Sequence, residues 1–324
     1  MAFRLELNEP VRDGIRRNVR HELERARKAV HDELVSPDPA VAREAVHEVR
    51  KRLKRVRAAL RLMRGELGDD AYRALNYQLR DAARPLTQVR DPDMLVTTFD
   101  ALAAQLAGRI DRNVRSQVRE TLIANERAAR VAVLGAAGTI AAIEHAIAAV
   151  LEEVDWPAAR DDWTMFEAGV RRVYRAGHRA LARALEQPTI TNLHEWRKQA
   201  KYLWHELQLL EATWNGAEPE LTDRVHDLST VLGDDHDLAV LAQTLAVDPL
   251  AYGGHRALKP LVVAIDGRRA ELQAHAFELG RSLYADSPSQ FAERIARYGR
   301  RCENSRPVAA VGRSRRPPAR RDLG

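Results

Sequence analysis

One short string of residues occurs twice in this chain of 324 residues. The string His-Glu-Val-Arg-Lys-Arg-Leu-Lys at positions 47–54 returns, 147 positions later, as His-Glu-Trp-Arg-Lys-Gln-Ala-Lys at positions 194–201. Each copy combines a histidine, several cations and regularly spaced apolar residues. The chain is therefore predicted to be an internal duplication, and each half is expected to present the same cationic element.

Both strings divide in the same way when they are placed on a helix, at about 100° per residue. The apolar residues form one stripe in each copy: Val46, Val49, Leu53, Val56, Leu60 and Met63 in the first, and Leu193, Trp196, Ala200, Leu203, Leu207 and Leu210 in the second. The polar residues form the adjoining face: His47, Arg50, Lys51 and Lys54 in the first, and His194, Arg197, Lys198 and Lys201 in the second. A face of like charge is unfavourable until an anion neutralises it. These residues are therefore candidate anion ligands.

The composition predicts an all-α protein. Apolar residues recur at three and four positions throughout, aromatic residues make up only 5% of the chain, and no run alternates in the manner of a strand. Predicted helices cover residues 9–34, 39–65, 69–88, 92–108, 111–133, 138–154, 162–186, 189–213, 218–232, 238–246 and 255–284.

The same sequence predicts a soluble cytoplasmic protein without a metal or cofactor. The N-terminus lacks the apolar core of a signal peptide, and the longest apolar stretch, 135–151, is interrupted by Glu144 and His145. The single cysteine, Cys302, excludes an internal disulfide framework and a cysteine-based metal site. No membrane association is expected.

The positive charge is unevenly distributed. Residues 300–324 carry eight arginines against Glu303 and Asp322, a net charge of +6 that equals the formal net charge of the whole chain. This segment is predicted to be a disordered basic tail that could bind nucleic acid weakly. Residues 46–64 carry eight Lys/Arg against one acid. A cationic site is thus predicted on a body that is neutral overall.

A second pair of segments also aligns between the halves, residues 86–95 with residues 232–241. Asp91 followed by Pro92 is typical of a helix start, with aspartate as N-cap and proline in the first turn. Asp237 is predicted to cap the equivalent helix. Arg90 would then lie at a helix N-terminus, where free amides attract anions. The seam between the halves is predicted at residues 155–157, because proline disfavours helix at the preceding residue.

Further arginines extend the candidate site. Arg57 and Arg61 prolong the basic face of the first copy, whereas Trp204 and Gln208 stand at those positions in the second. The first helix of each half adds Arg16 and Arg20, and Arg171 and Arg175. Arg80 and Arg84 share the spacing of four, with His226 and Thr230 as their counterparts.

The duplicated His-Glu-x-Arg-Lys-x-x-Lys pattern and the Leu-x-x-x-Arg-Asp-x-Asp string at 86–93 resemble those of the CHAD family, the conserved-histidine α-helical domain. The resemblance runs from about Glu9 to about Tyr298. It implies two pseudo-symmetric four-helix-bundle repeats, residues 9–155 and 158–298, that share a basic central cleft. It further implies binding of inorganic polyphosphate and recruitment to polyphosphate granules. The second copy departs from the pattern, with Ala239 where the first has Asp93.

Three alternatives remain open at this stage. The His-Glu-x-Arg string resembles the phospho-acceptor box of histidine phosphotransfer modules, and Glu44 with His47 matches the Glu-x-x-His of di-iron bundles. A generic polyanion-binding or nucleic-acid-binding helical protein would have similar electrostatics. No nucleotide-binding segment and no Glu-x-Glu-x-Lys string of a triphosphate-tunnel domain is present in the sequence. The prediction is therefore a non-enzymatic polyphosphate-binding module, whose histidines strengthen binding at mildly acidic pH.

Overall fold

The computed structural model describes residues 3–6, 9–106, 108, 110–154, 162–214 and 217–304, without the side chains of residues 301–304. The α-helices are α1 (Val11–Lys28), α2 (Pro39–Leu62), α3 (Arg64–Leu67), α4 (Asp69–Gln105), α5 (Arg112–Leu134), α6 (Thr139–Glu152), α7 (Thr164–Glu186), α8 (Ile190–Leu210), α9 (Leu221–Val247), α10 (His255–Leu283) and α11 (Pro288–Asn304). No strand occurs within these ranges. The predicted all-α class is confirmed. The predicted seam at 155–157 and residues 305–324 of the predicted tail lie outside the described residues.

The two helices that carry the repeated string begin at side-chain caps. Asp38 accepts a hydrogen bond from the Ala40 amide at 2.8 Å, and Pro39 occupies the first turn of α2. Thr189 caps α8 in the same manner through the Asn192 amide at 3.2 Å. These caps fix the residue at which each helix begins. Every residue of both predicted apolar stripes is buried, so this prediction is confirmed.

The helices of the repeated string lie at the centre of the packing. α2 packs between α1 and α4, and α8 packs between α7 and α9. The two sets also meet, because α2 contacts α8 and α4 contacts α9. The adjoining polar faces of α2 and α8 are thereby brought into one region.

Two apolar clusters hold the fold together. The larger one includes residues of α1, α2, α6, α7, α8 and α11, and the smaller one joins Phe99, Leu102 and Val118 to Leu241, Leu245 and Ile265. Each cluster therefore draws side chains from both sides of residue 155. The helices α4 and α9 contribute to both clusters, through their N-terminal parts to the larger and their C-terminal parts to the smaller.

The predicted helix starts at Asp91 and Asp237 are wrong. Helix α4 continues through residues 88–92 with Pro85 and Pro92 inside it, and α9 continues through residues 232–238. A proline inside a helix costs about 3 kcal/mol. Contacts of α4 with α2, α5, α6 and α9 along its length offset that cost. Arg90 and His236 therefore lie in the middle of long helices, where no free amides are available.

The C-terminal end also differs from the prediction. Helix α11 spans Pro288–Asn304, where no helix was predicted, and it includes residues 300–304 of the predicted tail. Its apolar residues Phe291, Ala292 and Ile295 are buried against α7, and this packing accounts for the helix. In the described part of the chain, no single helix is long and apolar enough to cross a membrane; only the bent pair α5 and α6 passes by length and composition.

Candidate functional site

A cavity of about 500 Å³ lies among α2, α4, α8 and α9; we call it the four-helix cavity. The predicted site residues that line it are His47, Arg50, Lys51, Lys54, Arg90, His194, Arg197 and Lys201. Both copies of the repeated string thus contribute to one cavity. That this cavity binds an anion stays a prediction.

Two lysines carry the most unusual electrostatics of the cavity. The pKa of Lys54 is lowered to about 7, first by burial and then by repulsion from Lys201 and Arg50. The pKa of Lys201 is lowered to about 8, by burial and by repulsion from Arg197. Neither ammonium group has an ion-pair or hydrogen-bond partner among the described residues. An anion in the cavity would supply that partner and restore the full charge of both lysines.

The equivalent arginines of the two copies differ in their partners. Arg50 donates a hydrogen bond to the Thr87 hydroxyl oxygen. The residue that corresponds to Thr87 in the second copy is Gly233, and the Nε of Arg197 is buried without a partner within the described ranges. Arg50 is therefore held in place by Thr87, whereas Arg197 has no such contact in the second copy. The donors of Arg197 are available to a ligand oxygen.

Carboxylates that the sequence reasoning took for helix caps also line the cavity. Asp91 and Asp237 occupy equivalent positions on α4 and α9, and Asp234 lies one turn before Asp237. The pKa of each is raised, principally because the cavity walls desolvate the carboxyl group. The nearby cations oppose this rise for all three. The lining is consequently of mixed charge, with cations in excess.

The pKa values of three histidines of the cavity, His47, His194 and His236, are lowered. The pKa of His194 is lowered to about 4 by burial and by repulsion from His236, and the pKa of His236 is lowered to about 4 by burial and by repulsion from Arg197. Burial likewise lowers the pKa of His47. In the ligand-free protein, His194 and His236 are thus neutral at mildly acidic pH. That the histidines strengthen anion binding at such pH stays a prediction.

Arg57 and Arg61 lie on the same helix but in different surroundings. Arg57 donates from Nε to the Asn76 side chain at 2.9 Å and lines a recess between α2 and α4 that adjoins the cavity. The guanidinium of Arg61 lies 3.6 Å above the centre of the Tyr202 ring. Arg61 does not line the four-helix cavity. Its position between α2 and α8 indicates a packing role.

The remaining predicted residues also lie away from the cavity: Arg16, Arg20, Arg171, Arg175 and Lys198. Lys198 pairs with Glu195 at 2.5 Å, and Arg171 pairs with Glu167. Arg175 is exposed on α7. The spacing of four that singled out the arginines of α1 and α7 places them on one side of each helix, yet that side does not face the cavity.

Sequence reasoning missed an aromatic group in the lining. Trp204 stacks on His226, with ring centres 4.3 Å apart and an angle of 20° between the planes. The imidazole of the next residue, His205, also lies close to the indole, with ring centres 4.5 Å apart. Both Trp204 and His226 line the cavity. The signal was present, because these two residues stand where the first copy has Arg57 and Arg80. Across the described residues, no group of three or more His, Cys, Asp or Glu side chains could hold a metal ion.

Comparison with known proteins identifies the fold first. The chain is similar to the crystal structure of the CHAD domain from the plant Ricinus communis, with a TM-score of 0.58 and 18% sequence identity, over 88% of this chain and 95% of that one. At this identity the similarity concerns the fold alone. The CHAD domain family matches residues 25–246, which is most of the chain. The protein belongs to the CHAD domain family, as the repeated motif predicted; no curated protein matches it.

Proposed function

We propose that this protein is a non-enzymatic module that binds inorganic polyphosphate in the four-helix cavity. Membership of the CHAD family supports this function in general. In this proposal the two halves are pseudo-symmetric repeats, and the cavity is the basic cleft between them. Binding would recruit the protein to polyphosphate granules in the cytoplasm.

The observation that carries the proposal is the convergence of Lys54 and Lys201. They come from equivalent positions on α2 and α8, reach one cavity, and have no ion-pair partner within the described ranges. Their pKa values are lowered to about 7 and about 8, because burial and the neighbouring cations disfavour the charged form when no anion is present. A ligand with closely spaced negative charges removes that cost at both positions.

A phosphate polymer suits this arrangement better than a single anion. The unused donors of Arg197 suit phosphate oxygens, and each lysine supplies a point charge to a neighbouring phosphate. Several modest contacts along one chain sum to tight binding, because each contact after the first is intramolecular. The release of counterions makes such binding weaken as salt concentration rises.

The decisive experiment is a titration of the full chain with long-chain polyphosphate, in the presence of DNA of equal phosphate content. Lys54→Gln/Lys201→Gln should weaken binding by about a hundredfold, because a charge-assisted hydrogen bond contributes about 1.5–3 kcal/mol. The matched control is Lys28→Gln/Lys259→Gln, which removes the same charge from exposed positions on α1 and α10. No release of orthophosphate is expected.

The outcomes separate the competing functions. Tight binding that survives excess DNA, and that is lost only in the cavity variant, supports a polyphosphate receptor. Equal competition by DNA, or equal loss in both variants, would instead favour a generic polyanion-binding or nucleic-acid-binding protein. Acid-labile phosphate on His47 or His194 would favour histidine phosphotransfer.

A further inference from the structure

The four-helix cavity does not end at the cations of the repeated string. A recess of about 640 Å³ opens between α2 and α4, and we call it the α2–α4 recess. It shares Arg50, Lys54 and Thr87 with the four-helix cavity. The recess and the cavity therefore adjoin each other at Lys54.

The α2–α4 recess is strongly cationic. Beyond the shared residues it is lined by Arg57, Arg80 and Arg84, against one acid, Asp81. Arg80 pairs with Asp81 at 3.0 Å, and Arg57 is oriented by its hydrogen bond to Asn76. Arg84 is exposed and has no ion-pair partner in the described part of the chain. The recess thus holds guanidinium groups that its own carboxylate cannot neutralise.

The corresponding region of the second half has different chemistry. Trp204, His226 and Thr230 stand there in place of Arg57, Arg80 and Arg84. The Trp204 indole and the His226 imidazole stack on each other and line the four-helix cavity on that side. A phosphate chain leaving the cavity over α8 and α9 would meet an aromatic pair and a hydroxyl instead of three guanidinium groups.

We propose that the α2–α4 recess is a second anion-binding subsite, which takes the part of a phosphate chain that extends beyond the four-helix cavity. This inference rests on the proposed function. The bound chain then leaves the cavity on one side only, over α2 and α4. Arg80 and Arg84 contact long chains and leave short ones untouched.

Chain length is therefore the readout that tests the subsite. Arg80→Gln/Arg84→Gln should bind long-chain polyphosphate about tenfold more weakly than the natural protein, and tripolyphosphate equally well. The slope of log affinity against log salt concentration should fall by about one for each arginine removed. Because both side chains are exposed, the thermal midpoint should not change.

Two further variants provide the controls. Arg73→Gln/Arg115→Gln removes the same charge from exposed positions on α4 and α5 that line neither the cavity nor the recess, and should bind long chains like the natural protein. Thr230→Arg adds a cation at the position equivalent to Arg84, but to the lining of the four-helix cavity, and should therefore strengthen binding of tripolyphosphate as well as of long chains. Equal binding of long chains by Arg80→Gln/Arg84→Gln and the natural protein would overturn the subsite. An equal loss in the Arg73/Arg115 control would overturn it too.

Failure of the subsite is distinguishable from failure of the proposed function. If the subsite alone is wrong, Lys54→Gln/Lys201→Gln still weakens binding of both ligands, and Arg80→Gln/Arg84→Gln changes neither. If the natural protein binds neither tripolyphosphate nor long-chain polyphosphate, the proposed function itself is wrong.

Discussion

The imidazole ring of His194 on α8 lies 4.4 Å from that of His236 on α9, measured between ring centres. Both rings line the four-helix cavity, and both Nδ1 atoms are buried without a hydrogen-bond partner among the described residues. Their pKa values of about 4 follow from burial and from the cations around them. The pair is therefore neutral in the free protein but close to the place where an anion would bind.

This pair predicts a proton uptake that occurs only in the complex. A bound anion raises the pKa of a neighbouring imidazole. Affinity should therefore increase as pH falls from the histidine pKa in the complex toward the histidine pKa in the free protein, about 4. His194→Gln/His236→Gln should bind polyphosphate like the natural protein at pH 8 and more weakly at pH 5. Titrations at the two pH values test this. Parallel pH profiles of the two proteins would contradict it.

The lysines predict a second pH dependence, in a separate range. The pKa values of Lys54 and Lys201 are about 7 and about 8 in the free protein, and a bound anion raises both. The contribution of these two lysines to affinity is therefore fully present below their pKa values in the free protein and decreases as pH rises above about 7 and 8, because binding must then take up protons. Lys54→Arg/Lys201→Arg should flatten this profile, since arginine stays charged. Lys28→Arg/Lys259→Arg should keep the natural slope; a flattened profile in that control would exclude the two cavity lysines as the cause.

Arg90 predicts opposite effects on stability and binding. Its guanidinium lines the cavity but pairs with the buried Asp93, which also accepts from Arg43 at 2.9 Å. Asp93→Asn should lower the free energy of unfolding by about 2 kcal/mol, since it breaks a buried ion pair. It should raise polyphosphate affinity, because Arg90 loses its competing carboxylate. Chemical unfolding and titration measure the two effects.

The second half offers a matched control for that variant. Asp235 is equally buried and accepts from Arg269 at 3.0 Å, yet it does not line the cavity. Asp235→Asn should therefore lower stability without raising affinity. A gain in affinity in both variants would mean that general loss of negative charge, and not the release of Arg90, explains the effect.

Glu206 predicts a pH-dependent instability in the interior. Its carboxyl group is fully buried on α8, neither oxygen has a partner in the described part of the chain, and burial raises its pKa. A carboxyl with a raised pKa costs stability as pH rises above its unfolded value of about 4.5, because the unfolded chain ionises first. Glu206→Gln should thus stabilise the protein at pH 8, by on the order of 1–3 kcal/mol.

At pH 5 the same substitution should stabilise the protein much less, because pH 5 lies only slightly above the unfolded pKa of about 4.5 and the unfolded chain then gains little from ionisation. Thermal unfolding at the two pH values is the measurement. A gain that is equal at pH 5 and pH 8 would show that the amide improves packing and that ionisation of Glu206 is irrelevant.

The helix class and the residues facing the cavity were accessible from the sequence because they depend on periodicity. Val49, Leu53, Trp196 and Ala200 recur at helical spacing, and their burial determines the direction in which the neighbouring cations point. The duplication of the string then indicated that the basic faces of α2 and α8 meet. Arg16 and Arg175 were assigned by spacing alone, which places a residue on a side of its helix but does not show what that side packs against.

The continuity of α4 and α9 could not be read from local signals. Asp91-Pro92 satisfies the rules for a helix start, and only the tertiary contacts of α4 show that the helix passes through it. This error concealed the carboxylates of the cavity, because Asp91 and Asp237 were taken for caps. The lowered pKa values of the histidines were inaccessible for a related reason, since burial among cations depends on the packing of four helices.

The placement of α4 and α9 in both apolar clusters restricts how a ligand can enter. A hinge motion that separated the two halves would pull each of these helices out of one of the two apolar clusters. Apolar side chains would then be exposed to water. A hinge between the halves is therefore too costly to serve as a gate. In the proposed complex the ligand therefore enters without separation of the halves, into a cavity whose walls are already in place before binding.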